Sequence, residues 1–286
     1  MMEFRLEGTT KRYKGNTSYS LDGYVPNMDD KYQYGCEFEF YIDTDTEDYS
    51  NAIEKITKKL YLLTNADILV DASSLPTAKD KDRCMQLKPD ISLNEYGIEI
   101  STPIATKEGI AYFIKCICKI IDEYGYTNEE TGFHIHISTV KKDGVNFNFY
   151  KYMLLCDDAR LLSSWKPRSG YSQNVMDILT SHDKLETRKI KTKKGTVWNL
   201  EKIASNHVEI KSMGGDGYHK EVKKLTQEFL KYAKYFDETL QEDTQTHKML
   251  FREHQEQINT LRDDVKARFV SALSASGILP DTLDHF

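Results

Sequence analysis

A chain of 286 residues with 39% hydrophobic and 11% aromatic content can bury one large core or two modest ones. Its formal net charge of −6 and pI near 5.8 argue against a general binder of nucleic acid or anionic membrane, since both need a dominant positive field. The opening "MMEFRLEGTTKRYKGNT" has no apolar stretch suited to secretion, and the most apolar helical segment, "GIAYFIKCICKII", is too short to span a bilayer and carries lysines. These features lead us to expect a cytoplasmic protein. Five cysteines without framework spacing fit a reducing compartment. Cys116 and Cys118 would point to different sides of a helix, and with Cys36, Cys84 and Cys156 they read as small buried hydrophobes. Few prolines with abundant Lys, Asn, Asp and Tyr fit an AT-rich genome, a phage or a low-GC bacterium.

Residues 1–33 read as a polar arm or short strands, and the first clear strand covers 34–42. Ile53, Ile56, Leu60 and Leu63 then recur at helical spacing over Tyr49 to Leu63. "ADILVDAS" is a short strand, and "CMQLKPDISL" an edge or irregular strand because of Pro89. "YGIEISTP" is a strand stopped by Pro103, and Lys107 to Tyr124 is a helix ended by Gly125. "TGFHIHIS" alternates as a strand, Phe147 to Ser164 reads as a helix, and residues 181–202 resemble a hairpin or flexible excursion turning near Gly195. "NHVEIKS" is the last clear strand, ended by "MGGDGY". Beyond Tyr218 the chain reads as helical, with one stripe from Val222 through Leu225, Phe229, Tyr232 and Phe236 to Leu240. A second stripe joins Ile258, Leu261, Val265, Phe269 and Leu273. The expected architecture is an α+β body, 1–218, with a helical C-terminal region, 219–286, that packs on it or builds a dimer.

Side chains two apart in a strand share a face. In four strands this puts Phe38, Phe40, Ile98, Ile100, Phe133, Ile135, Ile137, Val208 and Ile210 on apolar faces. Opposite them fall Glu37 and Glu39, Glu99 and Ser101, His134, His136 and Ser138, and His207, Glu209 and Lys211. Carboxylates gathered from several strands repel one another unless a cation lies between them. The oxygen-rich set suits Mg²⁺ or Mn²⁺, with imidazole leaning toward Mn²⁺ or a softer ion. No cysteine shares these faces, which argues against a structural zinc site.

In this order, "GCEFEF", "DISLNEYGIEISTPI", "TGFHIHIS" and "HVEIKS" resemble the motifs of the amidoligase family, carboxylate-amine ligases similar to glutamine synthetase and glutamate-cysteine ligase. The resemblance spans residues 35 to about 215. It implies a mainly antiparallel, glutamine synthetase-like sheet whose polar face holds ATP and divalent cations, Mg²⁺ or Mn²⁺, with helices on the other face. It also implies that a small-molecule or peptide carboxylate takes the γ-phosphate and that an amine attacks the acyl phosphate. By motif, Glu37, Glu39, Glu99, His134 and Glu209 would bind metal and His136 would face the nucleotide phosphates. Asp90 would position metal or the amine, and Arg168 in "KPRSGY" would hold phosphate or substrate carboxylate.

The chain departs from the family at Lys211, where Glu-x-Arg is usual; lysine keeps the charge but loses the bidentate fork. Lys184, Arg188, Lys189, Lys191, Lys193 and Lys194 form a basic run that reads as a lid over polyphosphate or a solvated hairpin. Two rival functions stand beside the ligase. One is a metal-dependent hydrolase built on H-x-H, for which His182, His207 and His219 supply no comparable motif; the other is a binding-only or virion-associated protein retaining the ligase fold.

Overall fold

The computed structural model describes residues 11–13, 31–45, 48–70, 83–90, 92–94, 96–139, 152, 156, 165, 197–199, 207–240 and 263. Within them lie strands β1 (Lys11–Tyr13), β2 (Tyr32–Ile42), β3 (Ile68–Val70), β4 (Met85–Pro89), β5 (Gly97–Ser101), β6 (Gly125–Tyr126), β7 (Gly132–Thr139), β8 (Trp198–Asn199) and β9 (His207–Gly214). The main helices are α1 (Tyr49–Thr64), α2 (Lys107–Tyr124) and α3 (Val222–Thr239). All nine strands form one mixed, mostly antiparallel sheet ordered β1-β3-β4-β5-β2-β7-β9-β8, with β6 pairing the end of β2. The β3–β4 pair is parallel. The fold is α+β, as the element pattern predicts.

Local sequence sets the helix limits. Asp48 caps α1 by accepting from the Ser50 N–H, and Asn65 ends it in the left-handed region at φ 52°. Thr106 caps α2 by accepting from the Gly109 N–H, and Gly125 ends that helix. The helices bury their apolar stripes in one core with Phe38, Ile100, Ile135 and Ile210 from the sheet. Each fully buried Phe or Ile in it contributes about 1.5–3 kcal/mol. α2 packs on β2 and contacts both α1 and α3. Leu225, Phe229, Tyr232 and Phe236 of α3 are buried, while Val222 and Leu240 pack partly exposed at its ends. The second C-terminal stripe, the 147–164 helix apart from Tyr152 and Cys156, and the basic run lie outside the described residues.

One strand is placed differently from the sequence expectation. β4 is interior, between β3 and β5, rather than an edge. Pro89 is tolerated there because it is the last residue of β4, paired with Ile98, whereas β3 reaches only as far as Leu87. β9 also runs on through Met213 and Gly214, which pair with Phe133 and Gly132.

Between those pairs β9 carries a bulge: Ile135 pairs with Ile210 and Phe133 with Met213, so a two-residue step on β7 faces a three-residue step on β9. Ser212 is buried there, its hydroxyl 2.7 Å from the Tyr232 hydroxyl of α3. After the strand, the Tyr218 hydroxyl donates to the Glu39 carbonyl at 2.9 Å and ties this end of the chain to β2.

Gly125 is required by close approach rather than by its dihedrals. A Cβ there would stand 2.3 Å from the Tyr41 carbonyl oxygen and 2.8 Å from the Phe40 ring. Gly125→Ala is therefore expected to lower stability by about 3 kcal/mol, because a backbone oxygen in the sheet cannot step aside. Chemical denaturation of the two proteins measures this directly.

Candidate active site

The polar face carries chemistry across five adjacent strands. Register sets Lys88 of β4 beside Glu99 of β5, Glu99 beside Glu39 of β2, Glu37 of β2 beside His134 of β7, and His136 beside Glu209 of β9. Lysines therefore stand on both flanks, with carboxylates and imidazoles between them. Glu39, Glu99, His134 and Glu209 are each less than a tenth exposed, so this is not a solvated edge. Burying an ionised carboxylate is costly unless it is paired.

His134 is the hub. Its Nδ1 lies 3.2 Å from Glu37 Oε2 and 3.7 Å from Glu209 Oε1, while its Nε2 lies 3.3 Å from Glu39 Oε1. His136 places Nε2 3.3 Å from Glu37 Oε1. Ligand atoms of Glu37, His136 and Glu209 all lie within 4.8 Å of one another, a spacing a single divalent ion can bridge. Glu99 is held apart from this trio: its Oε1 accepts from the Ser101 hydroxyl at 2.5 Å and pairs with Lys88 Nζ at 2.9 Å. Lys211 Nζ sits 2.9 Å from Glu209 Oε1, and Asn199 Nδ2 donates to Glu209 Oε2 at 2.5 Å.

Electrostatics divide the carboxylates into two kinds. Burial pushes the Glu37 carboxyl up, but His136 and His134 outweigh it and hold it well below the usual range. Glu209 is likewise lowered, burial being overcome by His136, His134 and Lys211. Glu99 goes the other way: burial and the nearby Glu37 charge raise it to about 7 against the pull of Lys88 and Ser101. His136 is raised because Glu37, Glu209 and Glu99 together exceed the cost of its burial.

Of the residues predicted from sequence, Glu37, Glu39, His134, His136, Glu209 and Lys211 lie together in this cluster. Glu99 adjoins it as the register partner of Glu39 and is itself held by Lys88 and Ser101. Asp90 is engaged in the turn after β4, where one oxygen accepts from both the N–H and the hydroxyl of Ser92 at 2.7 Å. It still lies close enough to favour the charge on Lys88. Arg168 lies outside the described residues. Sequence reasoning placed His207 on the polar face without giving it a role, and did not nominate Lys88 or Asn199. Lys88 falls on a polar face by the same alternation and could have been found; Asn199 depends on a pairing with no local signal. His207 Nε2 lies 3.2 Å from His136 Nδ1, an approach that the separation of the two in sequence conceals.

No family model matches the chain, and no curated protein does. Among solved structures, the complex between the prokaryotic ubiquitin-like protein Pup and its ligase PafA is similar at a TM-score of 0.31 and 9% identity. That likeness covers 86% of this chain and 63% of that one. The chain thus spans less than two thirds of that structure, and so distant a likeness assigns neither fold family nor activity.

Proposed function

We propose that the chain is an ATP-dependent carboxylate-amine ligase with a glutamine synthetase-like sheet, working through an acyl phosphate. The observation that carries this reading is the grouping of Glu37, Glu39 and Glu209 around His134 on a buried polar face flanked by Lys88 and Lys211. Such a face has anionic ligands for cations at its centre and cations at its sides, the arrangement that polyphosphate transfer needs. The motif order along the chain supports the same reading.

In this proposal Glu37, Glu39, Glu99, His134 and Glu209 hold Mg²⁺ or Mn²⁺, which neutralise phosphate oxygens when bound. The donor set of carboxylates with imidazole fits those ions. His136, Lys211 and Arg168 hold nucleotide phosphate or substrate carboxylate, and Asp90 positions the amine. A free carboxylate is a poor electrophile; phosphorylation supplies its leaving group, and the protein supplies position and charge. Residues 1–218 form the catalytic body in the cytoplasm, and 219–286 pack on it. A binding-only protein is the second reading, favoured by the 2.9 Å pairing of Lys211 with Glu209, which occupies the charge that an arginine would offer to phosphate.

The test is turnover with hydroxylamine standing in for the amine across a panel of acids. Expected products are ADP, phosphate and a hydroxamate, with an oxygen labelled in the carboxylate ending in the phosphate. Arg168→Ala is expected to slow this about 100-fold. AMP and pyrophosphate as products would sink the acyl-phosphate route, and ATP binding without turnover would favour the second reading.

A further inference from the structure

We propose a second cation position on the polar face, formed by His136 Nδ1 and His207 Nε2 and selective for borderline transition ions such as Zn²⁺ or Co²⁺. It shares His136 with the trio of Glu37, His136 and Glu209 but depends on His207, which the trio lacks, and it holds whether or not nucleotide binds. The two ring nitrogens approach to 3.2 Å, with ring centroids 5.3 Å apart and planes inclined by 40°. Nitrogens each about 2.1 Å from one ion, at an angle of about 100°, are separated by that distance. The angle falls between octahedral and tetrahedral geometry.

The rest of the environment suits a metal-binding imidazole. A ligating histidine characteristically gives its other ring N–H to a carboxylate, which fixes tautomer and orientation. His136 Nε2 lies 3.3 Å from Glu37 Oε1, so Nδ1 is the nitrogen left to face His207. Register assigns the neighbouring positions: Gly35 pairs with His136, and Ser138 pairs with both His207 and Gln33. Water can complete the coordination. Two imidazoles favour Co²⁺ and Zn²⁺ over Mg²⁺, which prefers oxygen ligands and keeps its waters.

Titrating the full chain with each metal alone tests the proposal, with calorimetry for Zn²⁺ and Mg²⁺ and visible absorption for Co²⁺. His207→Ala and the more conservative His207→Gln are expected to weaken Co²⁺ and Zn²⁺ at least about tenfold while leaving Mg²⁺ affinity within about twofold. Retained Mg²⁺ binding and an unchanged circular dichroism spectrum report that the variants are folded. Unchanged Co²⁺ and Zn²⁺ affinity in both variants would overturn the assignment and reduce the pair to a hydrogen bond between two imidazoles. Equal loss of Mg²⁺ and Co²⁺ in both would also overturn it, because His207 is not a ligand of the oxygen-rich position.

Discussion

Glu39→Gln is expected to reduce Mn²⁺-dependent ATP binding at least about 100-fold while moving the melting temperature of the metal-free protein by no more than about 3 °C. Glu39 is 4% exposed, so its charge is little screened by water, and one oxygen lies 3.3 Å from His134 Nε2. The amide keeps the volume and an accepting oxygen but removes the charge a cation needs. Folding is spared because His134 keeps Glu37 and Glu209 at Nδ1, so no buried charge is left unpaired. Removing one of several mutually repelling acids offsets what is lost, the usual trade between a functional site and stability. Calorimetric titration with ATP and Mn²⁺, beside thermal melts without metal, reads both parts. Undiminished nucleotide binding would remove Glu39 from the site.

Glu99→Gln is expected to stabilise the metal-free protein by an amount that grows with pH. The folded carboxyl is raised from its ordinary 4.5 to about 7, so its contribution is fully present below 4.5 and is lost as pH rises through about 7. The glutamine variant has no such loss. The gain over the parent should therefore be near zero at about pH 4.5 and approach at most about 3 kcal/mol by about pH 8. Glu37 and Glu209, held low, lose their contributions as pH falls and shape the acid side of both proteins alike. Denaturant midpoints across this range measure the difference, and a gain that is flat with pH would contradict the assignment. Bound Mn²⁺ should narrow the difference, because a ligated carboxylate releases its proton.

Much of this fold is legible from local rules. Alternation sorts Glu37 from Phe38 and His134 from Ile135, and Thr106 and Gly125 bracket α2 as caps should. Legibility stops where pairing between distant segments decides. Nothing around Pro89 says that a parallel β3 lies alongside β4 and ends two residues short of the proline. The approach of His207 to His136 depends on the β7–β9 register, and the link between Lys88 and Glu99 on that of β4 and β5. Both pairs were visible as polar-face residues, but not as neighbours.

The extra residue in β9 has an implication for how chains of this kind can vary. Taking Ser212 out would set Met213 directly opposite Phe133 in a regular ladder, with Glu209 and Ile210 still on their present sides. The inside and the outside of the strand are thus indifferent to that residue. What depends on it is the local twist beside Lys211 and the link to Tyr232. Two chains differing by one residue here can share the same core and the same acids yet point their last cation differently. A length difference at this point is then a change in where the positive charge of Lys211 sits on the polar face, made without altering the strand order.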